Sequence, residues 1–291
     1  MNVIGDIAGQ YDSLMRLIAK MPKQPTILLG DLNDRGWQSK QVIQWAIDND
    51  VANGGLVETL DSNHGDLLYD WFMQKTHKIS LEPIVDGFSV KTSLDGYRPR
   101  YDGYEIFEYN GGRPTMTSYG HNISRCFEDE LLANEDLVRH VKWLSERPTH
   151  LLKEINGQKY VFTHAPMNPN IHRSFEQFLK RGTGFVVYDD DSRQNYQWNR
   201  YEPFDFHRDL PDTISVFGHN SGKDLKLICD QYRDGIFVKG DDKLRSLFEQ
   251  NKGEIYGLCL DTSRDEKLTG LDLATMTLYH EAYMPEPARM Y

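Results

Sequence analysis

Cysteine is scarce in this chain. Its three cysteines, Cys126, Cys229 and Cys259, stand far apart in 291 residues and none forms a C-x-x-C pair, which excludes a disulfide framework. They read as buried or idle thiols. Long apolar runs are missing too, since no stretch approaches the ~20 residues needed to span a bilayer. Asn2 to Ile4 already reads as a strand, which leaves no room before it for a signal-type run. The expectation is a cytoplasmic protein that does not enter a membrane. Positive charge is in deficit: the net charge is −11 and the pI is near 5.4. That excludes a broad basic surface for nucleic acid or an anionic membrane and leaves only a local basic pocket. Repeats, heptads and low-complexity tracts are absent, and Asp189-Asp190-Asp191 reads as a solvated loop. At 39% hydrophobic, the chain can bury a full core. One domain over 1–291 is expected, because the chemically interesting residues are spread over most of it.

What is present is an alternation of strand and helix. Leu14, Leu17, Ile18 and Met21 share one helical face over residues 10 to 21, and Pro22 stops that helix. A strand at 26 to 30 follows. Ser39 is placed to cap a helix carrying Val42, Ile43, Ala46 and Ile47. A third strand, Leu56 to Leu60, leads into a helix marked by Leu67, Leu68, Trp71 and Phe72. Such a β-α-β-α-β order predicts parallel, neighbouring strands. Residues 76–130, rich in Tyr and Phe, read as an irregular, partly helical insertion near the functional site. A helix over 135–146 is expected, capped by Asn134 and ended by Pro148. The rest, with runs at 151–155, 159–163, 213–217, 255–260, 270–273 and 276–280, reads as mostly strand and suggests a second sheet packed on the first.

The ends of these strands carry the chemistry. Gly30-Asp31-Leu32-Asn33-Asp34-Arg35-Gly36 follows the second strand and brings two carboxylates and a guanidinium to the place where α/β folds bind ligands. Carboxylate oxygens suit hard divalent cations, and a guanidinium fork matches phosphate oxygens. Gly5-Asp6, Asn63-His64, His164 and Gly218-His219 follow four other β-type runs. Five strand ends thus each deliver a metal-type ligand, an oxygen and nitrogen set that fits a two-metal hydrolytic site.

These motifs, in this order, resemble those of the calcineurin-like metallophosphoesterases, in the branch that holds the phospho-Ser/Thr protein phosphatases and their bacterial and phage relatives. The matching residues are Gly5-Asp6-Ile7-Ala8-Gly9, Gly30 to Gly36, Asn63-His64, His164-Ala165 and Gly218-His219, with Leu260-Asp261-Thr262 and Leu268-Thr269 similar to the closing strands. The resemblance implies a four-layer α/β/β/α sandwich with two mixed sheets and the aromatic-rich insertion. It also implies two divalent cations, Mn²⁺ foremost, with Mg²⁺, Fe or Zn²⁺ as alternatives. Asp6 and the bridging Asp31 would hold the first; Asp31, Asn63, His164 and His219 would hold the second. His64 would be the general acid and Asp34 its orienting partner, with Arg35, Arg200 and Asn63 on the substrate phosphate. Arg200 enters through Trp198-Asn199-Arg200, which resembles the W-x-R of the bacterial and phage members. The implied reaction is hydrolysis of phosphomonoesters by direct attack of a metal-bridging water.

Three positions depart from that pattern. Ala8 stands where the pattern has a metal-binding His, so the first cation should be held weakly. Asp61-Ser62 replaces the usual Arg-Gly, and Gly65 replaces the acidic residue after Asn-His. Three functions therefore stay open: a phosphatase acting on a phosphorylated protein or a small phosphorylated metabolite or nucleotide; a phosphodiesterase or dinucleoside polyphosphate hydrolase; and a binding module that keeps the fold without the activity.

Overall fold

The computed structural model describes residues 1–76, 106–166, 212–251 and 253–286. Two mixed sheets lie face to face. The first half of the chain alternates β1 (Asn2–Ile4), α1 (Tyr11–Lys20), β2 (Thr26–Leu28), α2 (Ser39–Asp48), β3 (Val57–Thr59) and α3 (Asn63–Lys75). β1, β2 and β3 pair in parallel as neighbours, in the register Asn2–Thr26–Val57. β10 (Lys267–Asp272) joins the other edge of β1 antiparallel, and β11 (Thr277–Ala282) closes that side. The second sheet runs β4 (His150–Ile155), β5 (Gln158–Thr163), β6 (Thr213–Phe217), β9 (Ile255–Cys259), β7 (Leu225–Cys229) and β8 (Tyr232–Val238).

The alternation of side chains along each strand builds the layers. Ile4 and Leu28 point into a core shared with Leu14 and Leu17 of α1, Val42 and Ile43 of α2, and Leu68 and Trp71 of α3. Their neighbours Val3 and Ile27 point the other way, onto Phe162, Val216 and Leu258 of the second sheet. The far face of that second sheet carries a separate buried cluster of Phe217, Ile228, Tyr256 and Cys259. This is the metallophosphoesterase-type sandwich that the motif order implied. Residues 77–105, most of the aromatic-rich stretch, lie outside the described residues.

Local chemistry sets the boundaries. α1 ends as Met21 turns to an extended conformation, which the ring of Pro22 imposes on the residue before it. Asn134 caps α6 (Glu135–Ser145), its side-chain oxygen accepting the Leu137 N–H at 3.1 Å. Ser39 does not cap α2. Gln38 holds the cap position without a side-chain bond, while the Ser39 hydroxyl turns inward to Thr115 at 3.0 Å. Sequence periodicity missed β7, β8 and α7 (Asp241–Gln250), although Leu244 and Leu247 of α7 enter the inter-sheet core at helical spacing.

α6 also carries a pH-sensitive core contact. His140 is fully buried, its Nδ1 accepting from Tyr119 Oη at 2.7 Å and its Nε2–H donating to Gln44 Oε1 at 3.0 Å. Burial first, and Arg139 second, push its pKa down to about 4. The unfolded chain binds that proton near 6.5, so stability present above that pH is lost as pH falls toward 4. Urea unfolding of wild type and His140→Gln at pH 7 and pH 5 should show wild type losing about 2 kcal/mol more over that interval. Equal losses would mean that His140 protonates without cost.

Candidate metal centre

Every described site residue lies at the C-terminal end of a strand or in the turn just after it. Asp6 follows β1, Asp31 follows β2, and Asn63 and His64 open α3 after β3. His164 follows β5 and His219 follows β6. Ser62 sets the start of α3 by accepting the Gly65 N–H at 3.2 Å, so the residue that departs from the Arg-Gly pattern serves here as a helix cap. Arg200 lies outside the described residues.

The backbone is strained where these ends meet. Eight described non-glycine residues have positive φ, and five of them, Ala8, Asp31, Asp34, Arg35 and His219, belong to the site. Such conformations cost on the order of 1–3 kcal/mol each and persist where function holds them. Two glycines are needed by close approach. A Cβ on Gly218 would lie 2.1 Å from Asp6 Oδ1, and one on Gly30, at φ +115°, would lie 2.6 Å from the Ser62 side chain.

The donor set calls for a cation. Asp6, Asp31 and His164 each place a ligand atom within 4.8 Å of the others, and all three are buried. His164 Nδ1–H donates to the Leu29 carbonyl at 2.9 Å, which leaves Nε2 with its lone pair. That lone pair faces Asn63 Oδ1 at 2.7 Å and Asp31 Oδ1 at 3.3 Å. Burial holds the His164 pKa down, so the neutral, metal-ligating form is favoured. Three acceptors converging on one another repel unless a positive ion lies among them. The residues therefore fit a divalent cation. His219 packs edge-on to His164, ring centroids 5.1 Å apart, and its backbone N–H reaches Asp6 Oδ1 at 3.1 Å.

Charge balance points the same way. Four carboxylates, Asp6, Asp31, Asp34 and Asp261, are buried here around the cation Arg35. Burial, then Asp261, then Asp31 raise the Asp6 pKa well above the usual carboxylate range. Burial acts in the same direction on Asp31 but is outweighed by His164, His64 and Arg35, so that carboxylate is held low. Asp31 is thus the carboxylate held ionised in this buried cluster.

Beside this cluster lies a second one. His64 Nδ1 is 2.6 Å from Asp34 Oδ2, and its Nε2 is 3.1 Å from Arg35 Nη2. Burial and Arg35 pull the imidazole pKa down, but Asp31 and Asp34 outweigh them and raise it. Asn33 donates to Asp34 Oδ1 at 2.9 Å and to the His64 carbonyl at 3.0 Å. Sequence reading had not singled out Asn33, Thr115, Asp261 or Tyr283. Thr115 donates to Asp34 Oδ1 at 2.7 Å, and Tyr283 Oη donates to the Asp6 carbonyl at 3.3 Å. Asp261 stood within a recognised motif, yet nothing in the motif told that its charge bears on Asp6.

No family model matches the chain, and no curated protein matches it. Among solved structures, a protein serine/threonine phosphatase from Saccharomyces cerevisiae aligns over 99% of this chain and 81% of its own, at 12% identity and a TM-score of 0.53. A metallophosphoesterase from Sphaerobacter thermophilus aligns over 98% and 90% at 10% identity and a TM-score of 0.46. A cold-active protein-tyrosine phosphatase from a psychrophilic Shewanella species aligns over 94% and 75% at 16% identity and a TM-score of 0.45. The chain has the calcineurin-like metallophosphoesterase fold; the yeast enzyme is the likeness that supports this. Among the described residues, no helix is long and apolar enough to cross a membrane.

Proposed function

We propose that this protein is a metal-dependent phosphoesterase that hydrolyses phosphomonoesters, with a phosphorylated protein or a small phosphorylated metabolite as substrate. The observation that carries this reading is the pair of adjoining clusters: converging acceptors at Asp31, Asn63 and His164, and a buried His64–Asp34 pair next to Arg35. Divalent cations held by Asp6, Asp31, Asn63, His164 and His219, Mn²⁺ foremost, would supply charge for the transition state and acidify water at neutral pH. Arg35 would bind a phosphate oxygen through its planar fork, and Asn63 would also contact the phosphate. Asp34 keeps His64 oriented, and the carboxylates around it favour its protonated form. His64 can then give a proton to the departing alkoxide. Arg200 is assigned to the phosphate by its motif alone.

The substrate class is tested by hydrolysis of an aryl phosphate monoester, an aryl phosphodiester and a dinucleoside tetraphosphate, side by side with added Mn²⁺. Monoester turnover should lead. Faster cleavage of the diester or the tetraphosphate would replace the phosphatase reading. Metal-stimulated turnover of none of them, with Mn²⁺ bound, would leave a binding module.

Ala8 sharpens this reading. Its φ of +50° costs an alanine about 1–2 kcal/mol, whereas histidine is several-fold enriched in that region. Ala8→His should thus add no backbone strain and bring a nitrogen ligand to the turn beside Asp6. The Mn²⁺ concentration for half-maximal hydrolysis should fall by ~10 to 100-fold, by analogy with the loss of an outer-shell partner. An unchanged metal demand would show that position 8 does not reach the first cation.

A further inference from the structure

The segment from residue 106 to 118 is bound to the Asp34–Arg35 turn at several points. The Gly111 carbonyl, in a residue at φ +103°, accepts the Arg35 N–H at 3.0 Å. The Lys40 N–H reaches Ser118 Oγ at 3.1 Å. Between them lies Thr115, in the helix α4 (Arg113–Ser118), fully buried. Its hydroxyl donates to Asp34 Oδ1 at 2.7 Å, accepts the Asp34 N–H at 2.8 Å, and lies 3.0 Å from Ser39 Oγ. A hydroxyl has one proton and two lone pairs; here the proton goes to the carboxylate and one lone pair to the backbone of the same residue. The two bonds grip Asp34 at its backbone nitrogen and at its carboxylate.

That grip has a consequence for the other carboxylate oxygen. The Asp34 side chain turns about χ1 and χ2, and the terminal torsion is broad. Thr115 and Asn33 both hold Oδ1, so Oδ2 is left facing His64 Nδ1 at 2.6 Å. Asp34 itself sits at φ +70°, a conformation that needs outside support to persist.

We infer that Thr115 is a positioning residue for the Asp34–His64 pair, fixing the carboxylate rotation that aims the histidine. The inference rests on the reading of His64 as proton donor, but the bond it concerns can be observed without turnover. A segment 81 residues away in sequence thereby becomes part of the machinery of proton transfer.

The test compares Thr115→Val, which keeps the shape and removes the hydroxyl, with Thr115→Ser, which keeps the hydroxyl. The His64 Nδ1–H proton is followed by NMR in histidine-labelled protein, Mn²⁺ affinity by calorimetry, and turnover with an aryl and an alkyl phosphate. In T115V the low-field Nδ1–H signal should be lost or move upfield. Alkyl phosphate turnover should fall ~10-fold or more relative to aryl phosphate, with Mn²⁺ affinity within twofold of wild type. T115S should keep the signal and the alkyl-to-aryl ratio. A folded T115V with an unchanged signal and ratio overturns the inference, as does a folded T115S that loses both. Should T115V not fold, the T115S result decides. If wild type hydrolyses neither ester, the functional reading fails while the NMR comparison still decides the role of Thr115.

Discussion

His164→Ala is expected to lower phosphoester hydrolysis by at least ~10²-fold and to abolish tight Mn²⁺ binding at the second site, the scale at which metal activation governs such reactions. The argument starts from the converging lone pairs. His164 Nε2 faces Asn63 Oδ1 and Asp31 Oδ1, and its other nitrogen is committed to the Leu29 carbonyl. The bond to the Leu29 carbonyl fixes the tautomer and would aim Nε2 at a bound cation. Removing the ring would take away a neutral ligand and leave Asp31, Asn63 and His219 to hold the cation. Calorimetric titration with Mn²⁺, with a hydrolysis assay at saturating metal, separates loss of binding from loss of rate. Near-normal hydrolysis in that variant with added Mn²⁺ would remove His164 from the ligand set.

How far the sequence could reveal this site depends on where each partner lies along the chain. The first three strands and their helices were readable because apolar residues recur at local periods, as with Leu14, Leu17 and Ile18. Asp6, Asp31, Asn63, His164 and His219 could be put forward as candidates because a ligand just past a β-type run has a place in an α/β fold. Thr115 left no such trace. It is an ordinary hydroxyl residue in a stretch without a clear period, and only the fold brings it onto Asp34. Asn33 was hidden in plain view, a turn residue whose amide bridges Asp34 and the His64 carbonyl. Ser39 shows the reverse error: a serine before an apolar helix is a cap by local rule, yet tertiary contact with Thr115 claims its hydroxyl. The helix α7 was missed because its spacing is carried by only a few apolar residues, set among charged neighbours such as Asp241, Asp242, Lys243 and Arg245.

Replacing His64 by asparagine should separate proton donation from metal binding. His64 Nδ1 is engaged by Asp34 and Nε2 lies against Arg35, so neither ring nitrogen is needed to hold a cation. His64 also donates its backbone N–H toward Asp31 Oδ1 at 3.4 Å, a contact the substitution keeps. Metal affinity should therefore stay close to that of wild type while the proton donor is gone. General-acid catalysis contributes typically ~10²–10⁴-fold, and the loss falls hardest on poor leaving groups. An alkyl phosphate such as phosphoserine should lose ~10²-fold or more, and an aryl phosphate, whose phenolate leaves without help, ~10-fold less than that. The ratio of the two losses is the diagnostic quantity, because a general fall in rate from misfolding or lost metal would strike both substrates alike. Equal losses accompanied by loss of bound Mn²⁺ would make His64 a ligand and return the search for the acid to the groups around Arg35.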